Sequence, residues 1–262
     1  MIILMNNPDI CLCICDFLAD RDAMRFISCN TIINSLRDKI LFTDEHQYEK
    51  IKDLTYFNNF TMICTYGRIS VLPSNTKSLR MKSGSTSDLI NISFPDRIEK
   101  IDASGMIWDY EFPKFPSGVK YLALPHIFSR GIELKSKLSF LPDTSLEIIS
   151  MVSWQFTIFA KYLPKSITTL ILDGTGSIRM GDIPDHIINV HMISSYDPVL
   201  FRAIDYTIPL SIQYLKIDAP LCLAREITLI ADRKLTLVIR REYKHVIEEV
   251  SVGPDFKVEY FD

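Results

Sequence analysis

One hydrophobic pattern recurs along most of the chain. An apolar residue and a proline are followed by apolar positions three, six and eight residues after the proline, as in Leu163-Pro164 with Ile167, Leu170 and Leu172. The anchor positions are residues 73, 95, 116, 142, 164, 184, 209, 231 and 254, with alanine at 231, one inserted residue after 142 and a degenerate last repeat. Successive anchors are 20 to 26 residues apart. This period is typical of leucine-rich repeats, in which each repeat stacks on its neighbours.

The pattern predicts one short β-strand per repeat. Positions six and eight lie on one face of a strand, and the residue between them lies on the other face. Because proline cannot donate a hydrogen bond to a neighbouring strand, it belongs in the turn before the strand. The 36 isoleucines against 9 alanines also favour strands over helices. We therefore predict an α/β fold: a leucine-rich-repeat solenoid of about nine repeats over residues 51–262, with a parallel sheet of short strands.

The first fifty residues have helical periodicity instead. Three short amphipathic helices are predicted, the first behind Pro8-Asp9 and the next two capped by Asp20 and Asn30. Residues 1–50 are therefore predicted to form a small all-helical domain in front of the repeats. Such a domain buries little surface alone and must dock on its own chain or on a partner.

Residues 7–36, N-P-D-I-C-L-C-I-C-D-F-L-A-D-R-D-A-M-R-F-I-S-C-N-T-I-I-N-S-L, resemble an F-box. The family pattern of a proline and an acidic residue, an apolar pair, an acidic break and two further apolar helices is met at Pro8, Asp9, Ile14, Phe17, Leu18, Asp22, Met24 and Ile27. The departures are Asn7, where leucine usually precedes the proline, and the lack of a tryptophan near Leu36.

The repeats are similar to the FNIP-type leucine-rich repeat. The phrase L-P-x-S-[IL]-x-x-L-x-L is complete from Leu163 to Leu172, although the usual asparagine ladder is missing and only Phe128 keeps the Phe-Asn position. A helical F-box followed by these repeats resembles the F-box/FNIP proteins of social amoebae and of the giant viruses that infect amoebae. The order of the two parts makes this resemblance more specific than either part alone.

The resemblance implies the substrate-recognition subunit of a cullin-type ubiquitin ligase. The F-box-like domain, residues 1–50, would bind a Skp-family adaptor protein, and the repeat sheet would bind a protein target that the sequence does not identify. The resemblance places the adaptor contacts at Pro8, Ile10, Ile14, Phe17, Leu18 and Met24. The alternative is a stand-alone leucine-rich-repeat scaffold whose N-terminal helices cap the first repeat. An adaptor-binding unit leaves an apolar surface exposed, whereas a cap buries it.

Positions five, seven and nine after each anchor are predicted to project from the concave side of the sheet. The candidates for target binding among them are Arg80, Lys100, Tyr121, Ile148, Ile171, His191, Tyr214, Lys216 and Val238. The five apolar or aromatic candidates, Tyr121, Ile148, Ile171, Tyr214 and Val238, are expected to be exposed, which commonly marks an interaction surface. The two tyrosines are the expected anchors, because tyrosine is enriched among binding hot spots.

Charge and hydropathy exclude two classes of partner. The 29 basic and 32 acidic residues give a net charge of -3, without the dense positive footprint of a nucleic-acid-binding protein. No apolar run reaches the roughly 18 residues of a membrane span. The N-terminus lacks the basic region of a signal peptide, so we expect a cytoplasmic protein, in the host cytoplasm if it is viral.

No motif for catalysis or for a cofactor is found. Residues 169–181 imitate a dinucleotide-binding loop, but Arg179 occupies the position of the third glycine. The histidines have no metal-pair spacing. Cys11 and Cys15 share one face of the first predicted helix, which favours buried free cysteines over a metal site. We therefore expect a protein that is not an enzyme and that uses no cofactor and no metal.

Overall fold

The computed structural model describes residues 7–29, 31–109, 113–128, 141, 145–174, 180–193, 209–218, 235–241 and 256–262. One parallel sheet of 11 strands, arranged in chain order, dominates it. Its strands are β1 (Phe42–Gln47), β2 (Phe60–Thr65), β3 (Ser78–Met81), β4 (Lys100–Asp102), β6 (Tyr121–Ala123), β8 (Ile148–Val152), β9 (Thr169–Asp173), β10 (Asn189–Ile193), β11 (Tyr214–Asp218), β12 (Leu235–Arg240) and β13 (Phe256–Phe261). A second, two-stranded sheet pairs β5 (Ile107–Trp108) with β7 (Ile127–Phe128). The α-helices are α1 (Pro8–Cys15), α2 (Asp20–Ser28), α3 (Thr31–Asn34), α4 (Tyr48–Ile51) and α5 (Ser153–Phe159).

Equivalent apolar positions of neighbouring repeats lie side by side in the large sheet. Position six of each strand pairs with position six of the next, in the order Leu79, Ile101, Leu122, Ile149, Leu170, Val190, Leu215 and Leu237. In the degenerate last repeat, Leu237 pairs with Val258, which is four residues after the anchor. All of these side chains except that of Val258 are buried, and so are the residues two positions later in every strand except β13, where Tyr260 is half-buried. The predicted parallel sheet, with one strand per repeat and positions six and eight in the core, is confirmed.

The prolines stand in turns before the strands, as predicted. In each described turn, the N–H three residues after the proline donates to the proline carbonyl at 3.0 to 3.2 Å. These turns begin at Pro73, Pro95, Pro116, Pro164, Pro184 and Pro209. The residue at position three is buried in all of them, so each turn closes the core at the start of a strand. The anchors at 142, 231 and 254 lie outside the described residues.

Two strands of the sheet precede the repeats. Ile63 in β2 pairs with Leu79 and with His46 in β1. The expectation of an all-helical unit over residues 1–50 is therefore wrong for residues 42–47. Hydrophobic alternation does not mark β1, because Phe42 is its one buried residue. Neither strand carries the anchor of an apolar residue and a proline.

The N-terminal helices pack at this end of the sheet. Their buried apolar residues, Cys11, Cys15, Ala23, Ile27 and Ile33, belong to the same core as Phe42 and Phe60, and so does Leu36, two residues after α3. Helix α1 begins at Pro8, where the Asn7 side chain caps it by accepting hydrogen bonds from the next two free N–H groups. The expectation that Asp20 caps the second helix is wrong, because Ala19 is the N-cap of α2 and Asp20 is its first residue. Asn30, the expected cap of the third helix, lies outside the described residues.

Candidate protein-binding surfaces

The parallel register arranges positions five and seven of the repeats in two rows on the side of the sheet opposite the core. Position five is occupied by Ser78, Lys100, Tyr121, Ile148, Thr169, Asn189, Tyr214 and Thr236. Position seven is occupied by Arg80, Asp102, Ala123, Ser150, Ile171, His191, Lys216 and Val238. We call these two rows the sheet face. All nine target-binding candidates lie on it, on neighbouring strands roughly 4.8 Å apart.

The apolar candidates on the sheet face are less exposed than the sequence predicts. Four of them are half-buried: Tyr121, Ile148, Ile171 and Tyr214. Val238 is buried, with 7% of its surface exposed, so the expectation that it is exposed is wrong. Its strand partner Lys216 reaches across β12 and places Nζ 4.4 Å from the ring centroid of Phe261 in β13. A lysine stem on this path covers the surface around Val238.

A network of charges crosses the N-terminal part of the sheet face. Arg80 forms ion pairs with Glu45 at 2.9 Å and with Asp102 at 3.2 Å. Lys82 Nζ lies 3.3 Å from the other carboxylate oxygen of Glu45. Arg80 therefore links β3 to β4 and, across β2, to β1. Arg80 is among the residues predicted from the sequence, whereas Glu45 is not, because Glu45 lies in the range that was predicted to be helical.

Tyr121 is held in place by its neighbours on the sheet face. Lys100 Nζ, on the neighbouring strand β4, lies 4.6 Å from the ring centroid of Tyr121. Burial, together with the negative charge of Asp102, raises the pKa of the Tyr121 phenol. The hydroxyl is therefore protonated at neutral pH. A side chain that is already fixed loses little conformational freedom when a partner binds.

His191 lies on the sheet face between Ile171 and Lys216. Burial, together with the positive charge of Lys216, lowers the pKa of the imidazole, so it is neutral at pH 7. Its Nε2 is buried without a hydrogen-bond partner among the described residues. The middle of the sheet face is thus uncharged, and beyond it Arg240 Nε and Nη2 each lie 2.7 Å from Asp218 Oδ1. The sheet face has charged ends and a neutral centre.

The first helix carries apolar side chains on two sides. Cys11 and Cys15 are buried on one side, whereas Ile14 is 37% exposed and Phe17 is 86% exposed. Ile10, half-buried, lies one helical turn before Ile14 on the same side of α1, and Phe17 follows in the turn after the helix. The other adaptor-contact candidates divide: Pro8 is exposed, and Leu18 and Met24 are half-buried against the core. We call Ile10, Ile14 and Phe17 the helix stripe.

A buried aspartate joins α2 to the first strand. The Asp20 carboxylate accepts hydrogen bonds from the N–H groups of Thr43 at 3.0 Å and Asp44 at 2.8 Å. It also lies 2.7 Å from His46 Nε2. Asp44 in turn accepts a hydrogen bond from the Asp20 N–H at 3.2 Å. We call this set the Asp20 clamp, and it fixes the helices to the edge of the sheet.

In comparisons with known proteins, no family model, curated protein or solved structure matches this chain. Within the part of the chain that the structure describes, no three His, Cys, Asp or Glu side chains are arranged to hold a metal ion. None of the described helices has the length and apolar character needed to cross a membrane. The sheet face and the helix stripe are therefore the features from which a function is inferred.

Proposed function

We propose that this protein is the substrate-recognition subunit of a cullin-type ubiquitin ligase. In this proposal the N-terminal helices bind a Skp-family adaptor as an F-box does, and the leucine-rich-repeat sheet binds a protein target. The protein has no catalytic role of its own and acts in the cytoplasm, or in the host cytoplasm if it is viral. The support comes from two separate surfaces on one chain, together with the resemblance of residues 7–36 to an F-box.

The observation that carries the proposal is that α1 has apolar side chains on two sides, one buried against the core and one exposed to solvent. A helix that merely capped the sheet would bury its apolar residues and present polar ones to solvent. In α1 the buried cysteines already provide the contact with the core, and yet Ile14 in the helix and Phe17, two residues after its end, remain exposed. A phenylalanine that is 86% exposed gains no stability from burial in the monomer. Its apolar area is available to a partner, and the adaptor is the partner that the resemblance implies.

The sheet face supports the second part of the proposal. Its half-buried aromatic and aliphatic side chains stand on a hydrogen-bonded frame, so binding a target requires little ordering of the backbone. Its central strands, β6 to β10, carry neutral side chains at positions five and seven, and its charged residues lie on the strands toward both ends. A neutral centre with a charged surround is the usual anatomy of a protein-protein interface.

The direct test is a binding measurement between the full chain and a purified Skp-family adaptor from a social amoeba. The parent protein should bind, and Phe17→Asp should weaken binding by roughly 30-fold or more, which corresponds to about 2 kcal/mol at an interface anchor. Leu210→Asp is the matched control, since Leu210 is 88% exposed in a turn of a distant repeat. Phe17 is better suited to this test than Leu18, because Leu18 packs against the core and its replacement would also affect folding.

Two results would contradict the adaptor role. One is a parent protein that does not bind the adaptor, and the other is a Phe17→Asp variant that binds as tightly as Leu210→Asp. The target-binding role is tested separately with a double Tyr121→Ala, Tyr214→Ala variant. This variant should keep the adaptor affinity and lose a target that co-purifies with the parent.

The second candidate function is a stand-alone interaction scaffold with an N-terminal cap. The Asp20 clamp favours it, because a reciprocal set of hydrogen bonds fastens the helices to the first strand. Under this alternative the adaptor does not bind, whereas the double tyrosine variant still loses its target. The two experiments together therefore distinguish the candidates.

A further inference from the structure

The C-terminal edge of the sheet differs from its interior. In β13 the core-facing Val258 and Tyr260 are half-buried, whereas their partners in β12, Leu237 and Ile239, are each 1% exposed. No described residue pairs with the outer side of β13. An open strand edge is a template for pairing with another strand.

The register shows which backbone groups of β13 point outward. In the preceding strands the N–H at position five donates to the strand before it, as Tyr214 does to Ile188 at 3.3 Å and Thr236 to Gln213 at 2.9 Å. Lys257 and Glu259 in β13 pair with positions five and seven of β12. Because backbone groups alternate in direction along a strand, the N–H and C=O groups of these two residues point toward β12. The N–H and C=O groups of residues 256, 258 and 260 therefore point to the outer edge.

The N-terminal edge of the sheet is closed by contrast. The Asp20 carboxylate occupies the N–H groups of Thr43 and Asp44 in β1, and α2 packs there. A second copy therefore cannot add its β1 to β13 in head-to-tail fashion. The remaining arrangement is a two-fold one, in which the same edge of both copies is used and the assembly closes at two.

We propose that two copies of this chain pair along β13, antiparallel, with Val258 of one copy opposite Val258 of the other. In an antiparallel pair, residues whose backbone groups point outward must lie opposite each other. Three registers near the middle of the strand meet this requirement, and they are centred on residues 257, 258 and 259. The register centred on Lys257 opposes two lysines, and the one centred on Glu259 opposes two glutamates, which is unfavourable. The register centred on Val258 places each Lys257 opposite Glu259 of the second copy and each residue 256 opposite residue 260.

This arrangement extends the sheet from one copy into the other. The three outward-pointing pairs exchange two backbone hydrogen bonds each, and the core-facing Val258 and Tyr260 continue onto core-facing residues of the second copy. The two-fold axis runs perpendicular to the sheet, so both sheet faces lie on the same side. A dimer of this kind presents two target-binding surfaces to one partner, which raises its apparent affinity by avidity.

The test uses the full chain and two charge reversals. Within one copy Lys257 and Glu259 already form an ion pair, so the experiment must separate this contact from the one between copies. Lys257→Glu and Glu259→Lys each create like charges across a homodimer. Mixed together, the two variants oppose lysines with glutamates between copies, although neither variant regains its own internal pair.

Sedimentation velocity over about 1 to about 100 μM protein should show a dimer for the parent protein. Each single variant should sediment as a monomer with unchanged circular dichroism, and their equimolar mixture should restore the dimer. A parent protein that is monomeric throughout this range overturns the proposal. So do single variants that dimerise like the parent, or a mixture that stays monomeric.

Discussion

Replacing Asp20 by alanine removes a side chain that connects α2 to the backbone of β1 and to the side chain of His46. Its buried carboxylate accepts two backbone hydrogen bonds and contacts His46 Nε2. The net value of a hydrogen bond to a charged group is about 1.5 to 3 kcal/mol. The three contacts share one carboxylate and are not additive. We expect Asp20→Ala to lower the free energy of unfolding by about 3 kcal/mol.

Asp22→Ala is the matched control. Asp22 lies in the same first turn of α2, so both substitutions lose the same favourable interaction with the helix dipole. Its one ion pair, with Arg25 at 3.4 Å, is exposed to solvent and contributes little. Asp22→Ala should lower the free energy of unfolding by less than about 1 kcal/mol.

Urea unfolding followed by circular dichroism measures both variants, and hydrogen exchange locates the change. The amides of Thr43 and Asp44 should exchange on the order of 100-fold faster in Asp20→Ala, because they lose their acceptor. A free energy of unfolding within about 0.5 kcal/mol of that of Asp22→Ala, with these two amides still protected, would refute the reasoning.

Three further predictions follow from the repeat and its surfaces. In urea unfolding, Ile149→Ala, in the core, should lower the free energy of unfolding by about 3 to 4 kcal/mol. Ile171→Ala, on the sheet face of the next strand, should lower it by about 1 kcal/mol or less. Gly105→Ala should lower the melting temperature, because a Cβ there would lie 2.6 Å from a backbone carbonyl oxygen of the preceding repeat, whereas Gly67→Ala, with no atom within 4 Å, should leave it unchanged. The pKa of His191 is lowered in the folded state, so the unfolded chain binds a proton more readily. The free energy of unfolding of the parent should therefore fall relative to that of His191→Gln as the pH falls from 7 through about 6.5. A difference between the two proteins that does not change with pH would contradict this.

The core of the sheet could be predicted from the sequence because it is specified locally. The spacing of Leu170 and Leu172 after Pro164 states which face of a strand is buried, and stacking repeats requires their equivalents to align. The same logic places every target-binding candidate on one face. Position three was predicted apolar, and even the polar Thr76 is buried there, with its hydroxyl donating to the Pro73 carbonyl at 2.8 Å.

The parts that could not be predicted depend on partners distant in the sequence. Strand β1 contains Asp44, Glu45 and His46, whose local pattern gives no strand signal. These residues are accommodated because Asp20 and Arg80, more than 20 residues away, bind them. The burial of Val238 likewise depends on side chains from both neighbouring strands. Periodicity along the chain contains no information about such contacts.

The chain-order arrangement of the large sheet has a consequence for synthesis. Each strand of the sheet pairs with the strand before it and the strand after it in chain order. During synthesis, a new strand can therefore pair with one that has already been made. The helices that close the first edge precede every strand of the sheet in the chain, so they are synthesised before the sheet, which then grows in one direction. At every length, the growing sheet carries a single advancing edge, which is formed by its newest strand.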